Sequence, residues 1–188
     1  MHFGMGGSRV RNCFLSALIA LLQSPHFSPR LTLRMTLGNL LTVSQILPEM
    51  KATERWSAIV ELVDLLVGQG MINAADRDTV LSALRQREET MSTGIGFGIA
   101  IPHASSDRVE KVVAAFGRKM SGIEFDSLDN APVKFIVLFV VPKDQFQTHL
   151  RTLAAIAKFL NDRAVRERLG TAASAEEILA IFESSSKG

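Results

Sequence analysis

A histidine set directly behind a glycine-punctuated run is the chemically richest feature of this chain: Ser92-Thr93-Gly94-Ile95-Gly96-Phe97-Gly98-Ile99-Ala100-Ile101-Pro102-His103-Ala104. Neutral imidazole is an available nucleophile near pH 7, because its unperturbed pKa lies near ~6.5. Pro102 fixes its own φ and stiffens the chain just ahead of His103. Gly94, Gly96 and Gly98 remove side chains, which leaves backbone N–H groups room to crowd round an anion. A nucleophile beside such a loop points to a histidine that takes up a phosphoryl group. Ser92, Thr93, Gly94, Gly96 and Gly98 are then the expected phosphoryl-site loop. The sequence leaves the two imidazole nitrogens equivalent.

Competing chemistries fit less well. The glycine spacing is neither the dinucleotide fingerprint nor the P-loop, whose Gly-Lys-Ser/Thr ending is absent, so alone it reads as a turn-rich loop. There is no Gly-x-Ser-x-Gly elbow for a serine hydrolase. Cys13 is the only cysteine, which rules out an intrachain disulfide or a cysteine zinc site and favours a reducing compartment. No His-Glu-x-x-His motif offers a metal site, so neither metal nor cofactor is expected.

The elements that must position His103 follow from periodicity. Ile59, Leu62, Val63 and Leu66 recur at helical spacing and predict a helix from about Glu54 to Gly68. Asn73 is placed to cap a second helix, with Val80, Leu81 and Leu84 as its inward stripe. Arg87 follows at the end of that helix. On helix geometry alone it reads as a solvated cation at a helix C-terminus. Ile99–Ile101 and Val112–Phe116 read as short strands. Phe135 to Val141 is apolar without a break, as in a strand buried on both faces. A helix from about Asp144 carries Phe146, Leu150, Leu153, Ala157 and Leu160 on one face. His149 flanks that face in the first turn or two. Two shorter helices follow, one ended by Gly170 and one opened by a Ser174/Glu177 capping box. The fold expected is α/β: a single domain with a mixed sheet flanked by helices on both faces. His103 and His149 both follow strands, and ligand sites in open α/β sheets collect at strand carboxyl ends.

The chain has 188 residues, 47% hydrophobic and 21% charged, an ordinary globular composition. Its net charge of +2 is uneven. Residues 1–34 hold four arginines and no acid, and without them 17 basic residues face 19 acidic ones, a net of −2. A nucleic-acid partner is therefore not expected. Arg9 and Arg11 ahead of the apolar run Cys13–Leu22 look like a secretory signal, yet the run is shorter than the about 20 residues a membrane span needs. The alternative reading is that translation starts at Met35. We adopt the second, with residues 1–34 an extension, residues 35–188 the domain, no stable membrane insertion and a cytoplasmic location.

With Arg87, the Ser92–Ala104 run and His149 in view, the chain resembles the fructose/mannitol-type enzyme IIA domain of the bacterial phosphoenolpyruvate-dependent phosphotransferase system. Within it the similarity is strongest to the nitrogen-regulatory IIA proteins. The resemblance covers about residues 37–183. It also rests on Arg87-Glu88, Phe125-Asp126 with Asp129-Asn130-Ala131-Pro132-Val133, and Thr148-His149-Leu150 with Leu153-Ala154. It implies that His103 is the phosphohistidine and that Arg87 and His149 line the phosphoryl site. Two positions depart from the pattern: Phe97 where the regulatory proteins carry asparagine, and Ala104 where glycine is usual. Both are expected on a partner-facing rim.

The resemblance implies a phosphocarrier that accepts its group from an HPr-like protein. The acceptor is then a regulatory target protein or, in a sugar-uptake version, the cysteine of an enzyme IIB. The absence of a recognisable IIB segment favours regulation. A binding module that has lost phosphotransfer is the alternative of a different class, and retention of Arg87, His103 and His149 argues against it. A hydrolase with His103 as base lacks a motif-placed nucleophile. Residues 1–34 are expected to be dispensable for folding. A chain starting at Met35 should keep the melting temperature of the full chain and accept phosphate equally, as calorimetry and mass measurement would show.

Overall fold

The computed structural model describes residues 39–184, with main chain alone for 146–149 and 151. These residues fall in one compact unit of the chain, Met35–Gly188. Residues 1–34, with the arginine-rich stretch and the apolar run, lie outside the described residues.

Strand β6 (Val133–Pro142) is the axis of the sheet. Apart from Lys134 its residues are all buried, as the unbroken apolar run requires. It pairs antiparallel with β5 (Val113–Ile123) on one side. On the other side it pairs in parallel with β3 (Ile99–Ala100) and, further along, with β4 (His103–Ser106). Beyond β5 lies β1 (Ile46–Leu47), and beyond β3 lies β2 (Gly94–Gly96). The sheet is mixed: β1 is parallel to β5, and β2 is antiparallel to β3.

Alternation along β6 divides the core in two. Ile136, Leu138 and Val140 face helices α1 (Arg55–Gly68) and α2 (Arg77–Thr90). Phe135, Val137, Phe139 and Val141 face the opposite layer. That layer is built from α3 (Phe146–Asn161), α4 (Arg163–Thr171) and α5 (Ala175–Ser184). The expected three-layer α/β/α arrangement is the one observed. Ile59, Leu62, Val63 and Leu66 are all fully buried from α1, and Val80, Leu81 and Leu84 from α2.

Several local expectations shift. Asn73 caps a single 3-10 turn, Ala74–Asp76, by accepting from the Ala75 N–H, and the α-helix starts only at Arg77. Strand β5 runs to Ile123, well past Phe116. Gly170 lies inside α4, which ends at Thr171. Ser174 Oγ does accept from the Glu177 N–H, but the Glu177 carboxylate reaches back to Ala173 rather than to Ser174.

Two polar devices hold the sheet margins. Arg118 on β5 is buried, and its guanidinium donates to the carbonyls of Pro48, Leu169 and Ala172, each at 2.7 Å. Two of those carbonyls belong to the end of α4, whose dipole is negative there. At the other margin β2 and β3 form a hairpin with Phe97-Gly98 at its tip. Phe97 has φ +55, a left-handed conformation that costs a bulky residue of order 1–3 kcal/mol. The Asp129 carboxylate secures this tip. It accepts from the Phe97 N–H at 2.7 Å and from the Ala131 N–H and the Ser127 hydroxyl at 3.0 Å. Gly94 has no room for a side chain, since a Cβ there would lie 2.9 Å from Ser127 Cα.

Burial raises the Asp129 carboxyl, but the Ala131 and Phe97 N–H groups and the Ser127 hydroxyl together outweigh it and hold it below its ordinary range. A carboxyl lowered in the folded state stabilises fully above its unfolded value and ceases to do so as pH falls through its folded value. Asp129→Asn should therefore cost about 1 kcal/mol near pH 7 and progressively less in acid below the ordinary carboxyl range, as the wild-type carboxyl loses its charge. Urea melts at the two pH values check this; an equal loss at both would remove the carboxylate charge from the explanation.

Candidate functional site

His103 opens β4, one residue beyond a break in the strand ladder. Pro102 has no N–H to give to the sheet, so β3 and β4 are separate segments along the same side of β6. His103 stands opposite Phe139 in register, near the carboxyl end of β6. The two rings are stacked, 5.7 Å between centroids and 21° between planes. The imidazole thus rests on a core phenylalanine with one edge toward the strand ends.

Both ring nitrogens are held. Nδ1 lies 2.8 Å from the Ile101 carbonyl oxygen. A carbonyl only accepts, so Nδ1 carries the proton. Nε2 receives a hydrogen bond from Arg87 Nε at 3.1 Å. A guanidinium only donates, so Nε2 presents its lone pair. The two contacts select one neutral tautomer, Nδ1–H, with the lone pair on Nε2.

Arg87 belongs to the last turn of α2, where its Nη1 also donates to the Met91 carbonyl at 2.9 Å. It is half-buried. Burial lowers its guanidinium from the ordinary value, and the charge of Glu88 opposes that shift. It is not the solvated helix-end cation that helix geometry alone suggests. The same residue closes the helix end and grips the imidazole, because α2 packs alongside β4.

The expected loop residues divide into two groups. Ser92, Thr93 and Gly94 lie near the site's strand: Gly94 pairs with Ala100, and the Thr93 carbonyl accepts from the Ile101 N–H at 3.0 Å. Thr93 is itself held by Glu88, which accepts from its N–H at 3.1 Å and from its hydroxyl at 2.6 Å. Ser92 Oγ donates to the Phe125 carbonyl and accepts from the Gly94 N–H. Gly96 and Gly98 are elsewhere. They flank the hairpin tip with φ +96 and +74, roughly 15–20 Å along the extended chain from His103. The structure therefore corrects the anion cradle for these two: their glycine character serves the turn.

Phe97 and Ala104 are not on a rim of this site either. Phe97 is 63% exposed at the distant tip, under the Arg166 guanidinium 5.3 Å away. Ala104 points into the core on the α1/α2 side. Register decides the second, since alternate residues of β4 face opposite layers.

His149 lies in the first turn of α3, the helix that follows β6. Its side chain lies outside those described. Residues that the motif reading passed over are Phe139, Ile101 and Met91. Phe139 was legible only as core, and the other two act through main-chain carbonyls that carry no residue signal.

No helix among the described residues is long and apolar enough to cross a membrane. Residues 39–185 match the family model described as phosphoenolpyruvate-dependent sugar phosphotransferase system, EIIA 2. The chain is 42% identical over 132 residues to a fructose-specific EIIA component of the phosphotransferase system from Haloferax volcanii, covering 70% of this chain and 84% of that one. It is 30% identical over 148 residues to a nitrogen regulatory protein of Bradyrhizobium diazoefficiens, covering 79% and 95%. Its fold matches the crystal structure of nitrogen regulatory protein IIA-Ntr from Neisseria meningitidis, with a TM-score of 0.70, 33% identity and coverage of 77% of this chain and 97% of that one. With the three-layer fold, these likenesses make the chain a phosphocarrier that belongs to the EIIA 2 family of the phosphoenolpyruvate-dependent sugar phosphotransferase system.

Proposed function

We propose that this phosphocarrier takes its phosphoryl group on Nε2 of His103. The observation behind the proposal is the pair of contacts on one imidazole: Nδ1–H on the Ile101 carbonyl and Nε2 facing Arg87. The donor is a phosphohistidine of an HPr-like protein. The Nε2 lone pair forms the new N–P bond as the donor's N–P bond breaks, and the electron pair of that bond returns to the donor ring. His103 keeps its Nδ1 proton, so the step needs no base. The ring becomes cationic as it takes the group, and the Ile101 carbonyl offsets that charge.

Arg87 remains charged at any working pH despite its lowered value, and its planar donors suit the phosphoryl oxygens. Transfer of this kind depends mainly on positioning and electrostatics. His149 is assigned to the phosphoryl site on its sequence motif and on its place at the positive end of α3. Ser92, Thr93 and Gly94 support the site from the hairpin base. The setting is the cytoplasm, where a phosphoenolpyruvate-driven chain of carriers operates.

Downstream, the reading we adopt is regulatory. The likeness to the IIA-Ntr structure and to nitrogen regulatory proteins supports it. A phosphoryl group adds ~−2 charge and changes which partner surface is complementary. The second reading is a sugar-uptake carrier that hands the group to an enzyme IIB cysteine. The 42% identity to a fructose-specific EIIA component favours that one.

Incubation with phosphoenolpyruvate, enzyme I and HPr should add one phosphate mass to the wild-type chain and none to His103→Ala. Label that persists on His103→Ala, or that resists acid, would refute the assignment. Arg87→Ala and His149→Ala should slow transfer about tenfold to a hundredfold while His103 stays competent, the counterpart of roughly 1.5–3 kcal/mol each.

Partner binding should differ between phosphorylated and unmodified protein, with His103→Ala behaving as the unmodified form. Pull-downs on the two forms measure this. Rapid transfer to the cysteine of a fructose-type IIB from the same cell, with loss of sugar uptake on deletion, would select the second reading instead.

A further inference from the structure

We propose that Glu88 is a positioning residue that sets the tautomer and orientation of His103 through Thr93 and Ile101. The proposal rests on His103 as the phosphoryl acceptor. Glu88 follows Arg87 on α2, yet its side chain serves a different contact. It is buried to 7% exposure, and both carboxylate oxygens are taken by Thr93, one by the N–H and one by the hydroxyl. The Thr93 carbonyl accepts from the Ile101 N–H at 3.0 Å. The Ile101 carbonyl accepts from His103 Nδ1 at 2.8 Å, and His103 Nε2 accepts from Arg87 Nε at 3.1 Å. The contacts close a ring that leaves α2 at Glu88 and returns to it at Arg87.

A buried carboxylate is expensive unless it is fully hydrogen-bonded, and an apolar side chain of similar size would pack there without that cost. Its two charge-assisted bonds converge on a single residue. The nearest cation, Arg55 Nη1, is 3.9 Å away and is bonded to Asp126 at 2.9 Å. The carboxylate is therefore spent on fixing Thr93. Thr93 in turn holds Ile101 where Pro102 interrupts the ladder. With Ile101 fixed, its carbonyl stays on Nδ1 and the lone pair stays on Nε2. If the ring loosens, the Nε2–H tautomer gains population. That tautomer has no lone pair at Nε2 with which to attack.

The test reads the tautomer directly, by 15N NMR of the His103 ring in the full chain near pH ~8.5, well above the ordinary imidazole value. Single-turnover transfer from phosphorylated HPr is measured beside it. Thr93→Val keeps the shape and the N–H but loses the hydroxyl, Thr93→Ser restores the hydroxyl, and Glu88→Gln keeps one acceptor oxygen. Glu88→Ala is avoided because it strands the Thr93 donors in the core. Wild type and Thr93→Ser should show one Nδ1–H tautomer, and Thr93→Ser should recover rate lost in Thr93→Val. Folded Thr93→Val and Glu88→Gln should show mixed ring signals and transfer slowed about tenfold or more. Wild-type ring signals in both of these variants would overturn the proposal, even if their rates fell, because the loss would then be general destabilisation. The ring signals do not depend on where phosphate goes. Phosphate found on a residue other than His103 would defeat the acceptor assignment and leave the tautomer result to judge Glu88 separately.

Discussion

Beyond Lys134, strand β6 has no solvent face. From Phe135 to Val141 every side chain is buried, and the residues alternate between two hydrophobic layers. Each layer must be covered by helices, or apolar area would be returned to water at about 25 cal/mol per Å². Helices α1 and α2 therefore cover one face, and α3, α4 and α5 cover the other. The site inherits this constraint. Phe139 is a core residue, yet its ring is the platform on which His103 rests. The imidazole is placed as rigidly as the core itself is packed.

Electrostatics at the site is arranged around one ring. Arg87 provides a half-buried positive charge on one nitrogen, and a main-chain carbonyl provides partial negative charge on the other. In the proposed transfer, a phosphoryl group on Nε2 would meet the guanidinium, and the ring made cationic by it would meet the carbonyl. The arrangement suits both the loaded and unloaded states, as a carrier requires. The proposed transfer needs no deprotonation step, because Nε2 already presents its lone pair.

Polar groups elsewhere are matched in the same way. Arg118 is satisfied by three carbonyls rather than by a carboxylate, with the end of α4 supplying the negative field. The Asp129 carboxylate offsets a strained Phe97 at the hairpin tip through two N–H groups and a hydroxyl. Each device lies away from His103 and secures a strand that leads to it.

The sequence by itself determined the layers. An unbroken apolar run suits a doubly covered strand, and stripes such as Ile59, Leu62, Val63 and Leu66 suit helix faces turned inward. It also singled out His103, because a histidine behind a proline and a glycine run has few structural explanations. Strands β1, β2 and β4 were illegible, since their short segments carry no unbroken apolar run and exist as strands only through their partners. Tertiary structure alone brought Arg87 from the end of α2 to His103, across sixteen residues of chain. It alone set the tautomer, because the Nδ1 proton is held by a main-chain carbonyl, which every residue possesses and no sequence pattern marks. It also moved Gly96, Phe97 and Gly98 away from the chemistry, since strand register, and not proximity along the chain, decides which end of a strand a residue occupies.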